Sequence, residues 1–219
     1  MTPEQARALV AQMPGARERW LAGMLERVRA RAVWLAGSAG RGRTDEWSDL
    51  DLILVDGAPV LDEALLAWEN PGNGPVGGGY FGSLFAVGPL TLWVDWYLWP
   101  ADAPTPSDAR LLHGEGTPGD LDLSRSLDRL GRGRPRPHAD RDAFALAMLP
   151  LAAKFVARGQ DDKAAGMAAM LGAAPGMPPL TALRTVFDAI GGADPGRDHA
   201  EARRLVERYL EVVEALGRN

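Results

Sequence analysis

The chain contains no cysteine, so neither a disulfide nor a thiolate metal site is available to it. Histidine is scarce: His113, His138 and His199 lie far apart, without the spacing of a metal-ligand set. Lysine is nearly absent, since of 24 Lys and Arg residues only Lys154 and Lys163 are not arginine. No apolar run approaches the roughly 18 residues that a membrane span requires. The N-terminus lacks the basic segment and apolar stretch of a secretory signal. A cytoplasmic protein without a membrane partner is therefore expected. The net charge of −5 argues against a nucleic-acid partner and suits a cationic one.

What is present is enough apolar material, 46% of 219 residues, for one large domain or two small ones. Pro3 at a first helical position predicts a helix to about Met13, broken by Pro14 and Gly15. Residues 16–31 follow as a second helix, with Trp20, Leu21, Met24, Leu25 and Val28 at helical spacing. Ala32-Val33-Trp34-Leu35-Ala36 predicts a buried strand, and residues 49–55 a second. Residues 62–70 suggest a short helix, and the five glycines and two prolines of residues 71–79 a flexible loop. Residues 80–87 and 90–99 predict a hairpin turned at Gly88-Pro89. Beyond Pro100 strand character disappears. Residues 101–137 read as a linker with a short helix near 107–112. Residues 139–158, 161–173, 179–190 and 198–217 read as helices. The expected class is α+β: a small mixed sheet flanked by helices (1–100), the linker (101–137) and a C-terminal helical bundle (138–219).

Between the first two strands runs Gly37-Ser38-Ala39-Gly40-Arg41-Gly42-Arg43, followed by Ser48-Asp49-Leu50-Asp51-Leu52. Gly37, Gly40 and Gly42 let backbone N–H groups approach an anion with no Cβ in the way, and Ser38 adds a hydroxyl. Side chains alternate along a strand, so Asp49 and Asp51 share one face. Two such carboxylates repel unless a cation lies between them, and hard oxygen ligands suit Mg²⁺. A further acid, Asp95, stands alone in the β-prone run of residues 90–99. Its face carries Thr91, Trp93, Tyr97 and Trp99, and the other carries Leu92, Val94, Trp96 and Leu98. A mid-strand carboxylate is costly to bury unpaired, so Asp95 needs either an exposed edge or a partner. Trp93, Tyr97 and Trp99 suit either the core or a stacking wall beside it.

The spacing Ala36-Gly37-Ser38, ten residues, then Asp49-Leu50-Asp51-Leu52 resembles the nucleotidyltransferase superfamily typified by DNA polymerase β. Gly40 stands where that pattern usually has Ala. The resemblance implies a nucleotidyltransferase fold in the first half, a metal site of Asp49, Asp51 and Asp95, and a triphosphate held by Gly37, Ser38 and Arg41. A helical second half resembles the small-molecule members, the aminoglycoside and lincosamide adenylyltransferases. The stretch from Leu151 to Ala165 is similar to their helical-domain pattern, which implies Lys154 as a triphosphate contact. The alternative is a solvated helix charge. Arg158, one turn on, is either a second phosphate contact or a helix-end cap.

The implied activity is metal-dependent transfer of a nucleoside monophosphate, AMP from ATP, to the hydroxyl of a small molecule. An aminoglycoside-like cationic antibiotic is one candidate acceptor, and Glu46, Asp102 and Asp108 are acids that could attract it. Some relatives place a catalytic Glu where this chain has Pro150, so the base must come from elsewhere, Asp95 included. The other class of function is regulatory: small nucleotidyltransferases of toxin–antitoxin pairs bind or adenylylate a protein partner. A monomer and a homodimer are both compatible with the sequence.

Overall fold

The computed structural model describes residues 1–190 and 199–217. It has two compact units, one formed by Met1–Met13, Ala86–Thr91 and His138–Asn219, the other by Pro14–Phe85 and Leu92–Pro137. The chain is thus a mixed α and β protein built on one six-stranded mixed sheet.

The strands are β1 (Ala32–Leu35), β2 (Leu50–Val55), β3 (Ala64–Glu69), β4 (Gly79–Val87), β5 (Leu90–Trp99) and β6 (Arg110–Gly114), in the order β3-β4-β5-β2-β1-β6. β1 runs antiparallel to both β2 and β6, whereas β2 and β5 are parallel. Leu50, Leu52, Leu54, Val94 and Trp96 are all fully buried. Trp20 of helix α2 (Met13–Arg27) packs on Phe85 and Trp96, with ring centroids 4.8 and 6.4 Å apart. On the opposite face, Ile53, Val55 and Trp99 join Trp34 and Leu127, with Tyr97, Leu123 and Leu130 packed against them. Helix α4 (Leu123–Leu130), opened by the Asp122 side chain on the Arg125 amide, thus covers that face.

Four local expectations are corrected. Pro14 and Gly15 do not break a helix: α1 ends at Val10, and α2 runs through them, because the first turn needs no N–H from Pro14. Residues 62–70 hold β3 rather than a helix. Its register on β4, from Ala64↔Phe85 to Glu69↔Phe81, and the contact of Trp68 with Trp93 outweigh local helix propensity. Residues 71–79 are tied down, with the Asn70 amide donating to Tyr80 O (3.0 Å) and the Val76 amide to Gly131 O (2.9 Å). Residues 107–112 are not a helix either, since β6 starts at Arg110 and pairs with β1. As a largely exposed edge strand, β6 carries no apolar alternation to reveal it.

In the other unit, Thr2 and Gln5 form a reciprocal capping box at the start of α1 (Pro3–Val10), which packs on α8 (Ala200–Leu216). Helix α5 (Arg141–Ala157) is apolar almost throughout and touches α6 (Asp161–Met170), α7 (Pro179–Ala189) and α8. Among the described residues, no helix is long and apolar enough to cross a membrane.

Candidate active site

β1 delivers the chain to a one-turn helix, α3 (Gly37–Gly40). Gly37 has φ +61°, and a Cβ there would lie 1.9 Å from Asp51 Oδ2. Each fact by itself demands glycine, and the second shows how closely this turn approaches the Asp51 carboxylate. The Ala36 amide donates to Asp51 O (2.8 Å), which ties the turn to β2. The glycine run does not form one open cradle. The amides of Gly40, Arg41, Gly42 and Arg43 all donate back into the turn, to Ala36, Gly37, Ala39 and Ser38 carbonyls. The amides of Gly37, Ser38 and Ala39 form the first turn of α3, where a helix has no carbonyl of its own to offer them.

The parallel register of β2 and β5 places Asp51 directly beside Asp95. Neighbouring strands lie about 4.8 Å apart, so the two carboxylates rise side by side from one face. Both residues are half-buried. Asp95 Oδ1 accepts from the Tyr80 hydroxyl and from Trp93 Nε1, the latter at 2.9 Å. Asp49, half-buried just before β2, lies in the field of the buried Arg17 guanidinium. The expected group of three metal carboxylates is therefore only partly assembled. Asp51 and Asp95 meet, but among the described residues no cluster of three His, Asp or Glu side chains stands ready to hold an ion.

Arg17 is a site residue that the sequence reading missed. It is 5% exposed and donates to the carbonyls of Ser48 (2.8 Å) and Asp45 (3.1 Å). The Ser48 hydroxyl in turn donates to Asp45 Oδ1 (2.7 Å). This knot fixes the backbone that launches Asp49 and Asp51. Burial pulls the Arg17 pKa down, against the opposing pull of Asp45 and Asp49. The signal was available: position 17 falls on the Met13, Trp20, Met24 stripe of α2, where an arginine has to be buried.

Arg41 is not a free loop cation. It donates to Asp108 Oδ2 (2.6 Å), and Asp108 Oδ1 accepts from the Leu123 amide (2.9 Å). Asp108 thus ties the loop to the start of α4 and is not an acid waiting for a cationic acceptor. Beside this pair opens a cavity of about 530 Å³, lined by Gly37, Arg41, Tyr97, Asp122, Leu123 and Arg132 among others. It has the size of a small-molecule site and adjoins the turn that touches Asp51. Burial, with the charges of Asp95 and Asp51, raises the Tyr97 pKa, while Arg132 opposes the shift.

Of the expected aromatic wall, Trp93 is buried against Trp68 (5.2 Å), and Trp99 is buried with Nε1 donating to Pro104 O (3.2 Å). Only Tyr97 of the three reaches the cavity. Lys154 and Arg158 belong to the helical unit. Lys154 is 6% exposed, with Nζ 5.4 Å from the Phe155 ring centroid, so it is not a solvated helix charge. Arg158 is the residue that ends α5, its amide donating to Lys154 O (3.1 Å). Pro150 is buried within α5. Compared with models of known protein families and with curated protein sequences, the chain matches none.

Proposed function

We propose that the sheet unit is the catalytic half of a metal-dependent nucleotidyltransferase, which moves AMP from ATP to the hydroxyl of a small molecule. The observation that carries this reading is the in-register pair Asp51 and Asp95 beside the Gly37-Ser38 turn. The motif at residues 36–52 resembles that superfamily, and the cavity adjoining Gly37 gives room for a substrate of small-molecule size.

The donor set fits Mg²⁺. That ion binds through one or two carboxylates plus substrate phosphates and does not need a three-residue protein cage. Asp51 and Asp95 would be its protein ligands, with Asp49 adjacent. When bound, the ion would neutralise triphosphate charge and polarise the phosphorus that is attacked. The protein's own part is positioning. Ser38 and the first amides of α3 would hold the terminal phosphates. The acceptor oxygen forms a bond to the α-phosphorus, the bond to pyrophosphate breaks, and the hydroxyl proton passes to solvent water. An aminoglycoside-like compound is the first acceptor class to screen.

The test is titration calorimetry of ATP with and without Mg²⁺, on the wild type and on Asp49→Asn/Asp51→Asn. Metal-dependent binding that the double variant loses supports the site, and pyrophosphate release with a hydroxyl acceptor supports the reaction. No binding of any nucleoside triphosphate with Mg²⁺ or Mn²⁺ overturns the reading and turns the search to a protein partner.

A further inference from the structure

Three adjacent strands build a support under Asp95. On β3, Trp68 is in register with Gly82 of β4. A Cβ at Gly82 would lie 2.5 Å from Trp93 Cζ2 and 3.2 Å from the Tyr80 hydroxyl oxygen. The missing side chain is what lets the Trp93 ring lie across β4, with the Trp68 ring tilted against it at 5.2 Å. So placed, the Trp93 indole N–H reaches Asp95 Oδ1 at 2.9 Å. Tyr80, 4% exposed and edge-on to Tyr97 at 5.4 Å, brings its hydroxyl to the same oxygen.

A carboxylate on a strand has a broad terminal torsion and can turn. Two buried donors converging on one of its oxygens stop that rotation and set the plane in which the carboxylate faces Asp51. We infer that Tyr80 and Trp93 are positioning residues, which hold the Asp95 carboxylate in the orientation that a divalent cation and triphosphate require at the Asp51–Asp95 pair. This inference rests on the nucleotidyltransferase reading. It adds that the orientation is imposed from outside the motif, by β4 and by a glycine that admits an indole.

The experiment uses the full chain, labelled with ¹⁵N, and Mn²⁺ with ATP as probe. Trp93→Phe identifies the Trp93 indole resonance among the seven tryptophans. Tyr80→Phe and Asp95→Asn should each move that resonance and leave the other indoles in place. In calorimetry, Tyr80→Phe should weaken Mn²⁺·ATP binding roughly 10- to 100-fold, with a melt that stays cooperative. Ser83→Ala, which removes buried hydrogen bonds to Val94 and Trp96 on the same strands without touching Asp95, should leave that binding unchanged. Equal weakening by Ser83→Ala and Tyr80→Phe overturns the inference, as does an indole resonance that ignores Asp95→Asn. If the wild type binds no Mn²⁺·ATP while the indole responds as expected, the nucleotidyltransferase reading fails and the Tyr80–Trp93–Asp95 linkage stands.

Discussion

Asp51 and Asp95 are register partners on neighbouring parallel strands, and the same row continues with Ile53 beside Tyr97 and Val55 beside Trp99. Two residues further into the sheet Ile53 is core while Tyr97 borders the cavity, and by Val55 and Trp99 that face is closed core under α4. At the carboxylates it meets the Gly37 turn instead. The transition from packed apolar rows to paired like charges singles out this end of the sheet, because like charges directly opposite each other destabilise a sheet.

That repulsion gives a first prediction. Asp51→Asn should raise the apparent melting temperature of the ligand-free protein by roughly 2–4 °C at low salt, about 1 kcal/mol for a chain this size. The gain should shrink in high salt. The same variant should lose metal-dependent stabilisation by ATP. Scanning calorimetry at two ionic strengths, with and without Mg²⁺·ATP, reads both effects.

Gly37 tests the closeness of the turn. Gly37→Ala meets positive φ and places a methyl group on Asp51 Oδ2. The left-handed backbone alone should cost on the order of 1–3 kcal/mol. Displacement of Asp51 should abolish nucleotide binding even where the variant remains folded. Urea denaturation with parallel calorimetric titration separates the two losses.

Arg17→Met removes a buried guanidinium from the Ser48 and Asp45 carbonyls. Leaving both carbonyls without that donor should destabilise by roughly 2–4 kcal/mol. Local opening should concentrate in residues 45–49, which hydrogen exchange would report as faster amides at the start of β2. Arg17→Lys should restore only part of the loss, since one ammonium cannot copy the fork that spans two carbonyls.

Tyr80 and Tyr97 both have raised pKa values, from burial first and then from the charge of Asp95. The folded state thus holds these protons more tightly than the unfolded chain, whose tyrosines titrate near pH 10. Their contribution to stability is complete below about pH 10 and falls as pH rises above it. Absorbance titration at alkaline pH should show both phenols ionising only with unfolding. Tyr80→Phe/Tyr97→Phe should flatten the alkaline loss of stability, and an unaltered slope would contradict the assignment.

Much of this protein was settled by its sequence alone. The helical periodicity after Asp140, the hairpin turned at Gly88-Pro89, and the Gly37-Ser38 to Asp49-Asp51 spacing are local patterns, and local backbone preference is enough to express them. Tertiary structure decided the rest, because it depends on hydrogen bonds between segments distant in sequence. No local feature of residues 49–55 says that β5 lies alongside in parallel, with Asp95 level with Asp51. An exposed edge such as β6 needs only a neighbour's backbone to become a strand, and so leaves no apolar trace. Tyr80 looked like an ordinary strand residue until folding buried it against a carboxylate, and the stripe position of Arg17 pointed to burial but not to the turn it would hold. Desolvation then made each hydrogen bond there count, which residue order by itself does not reveal.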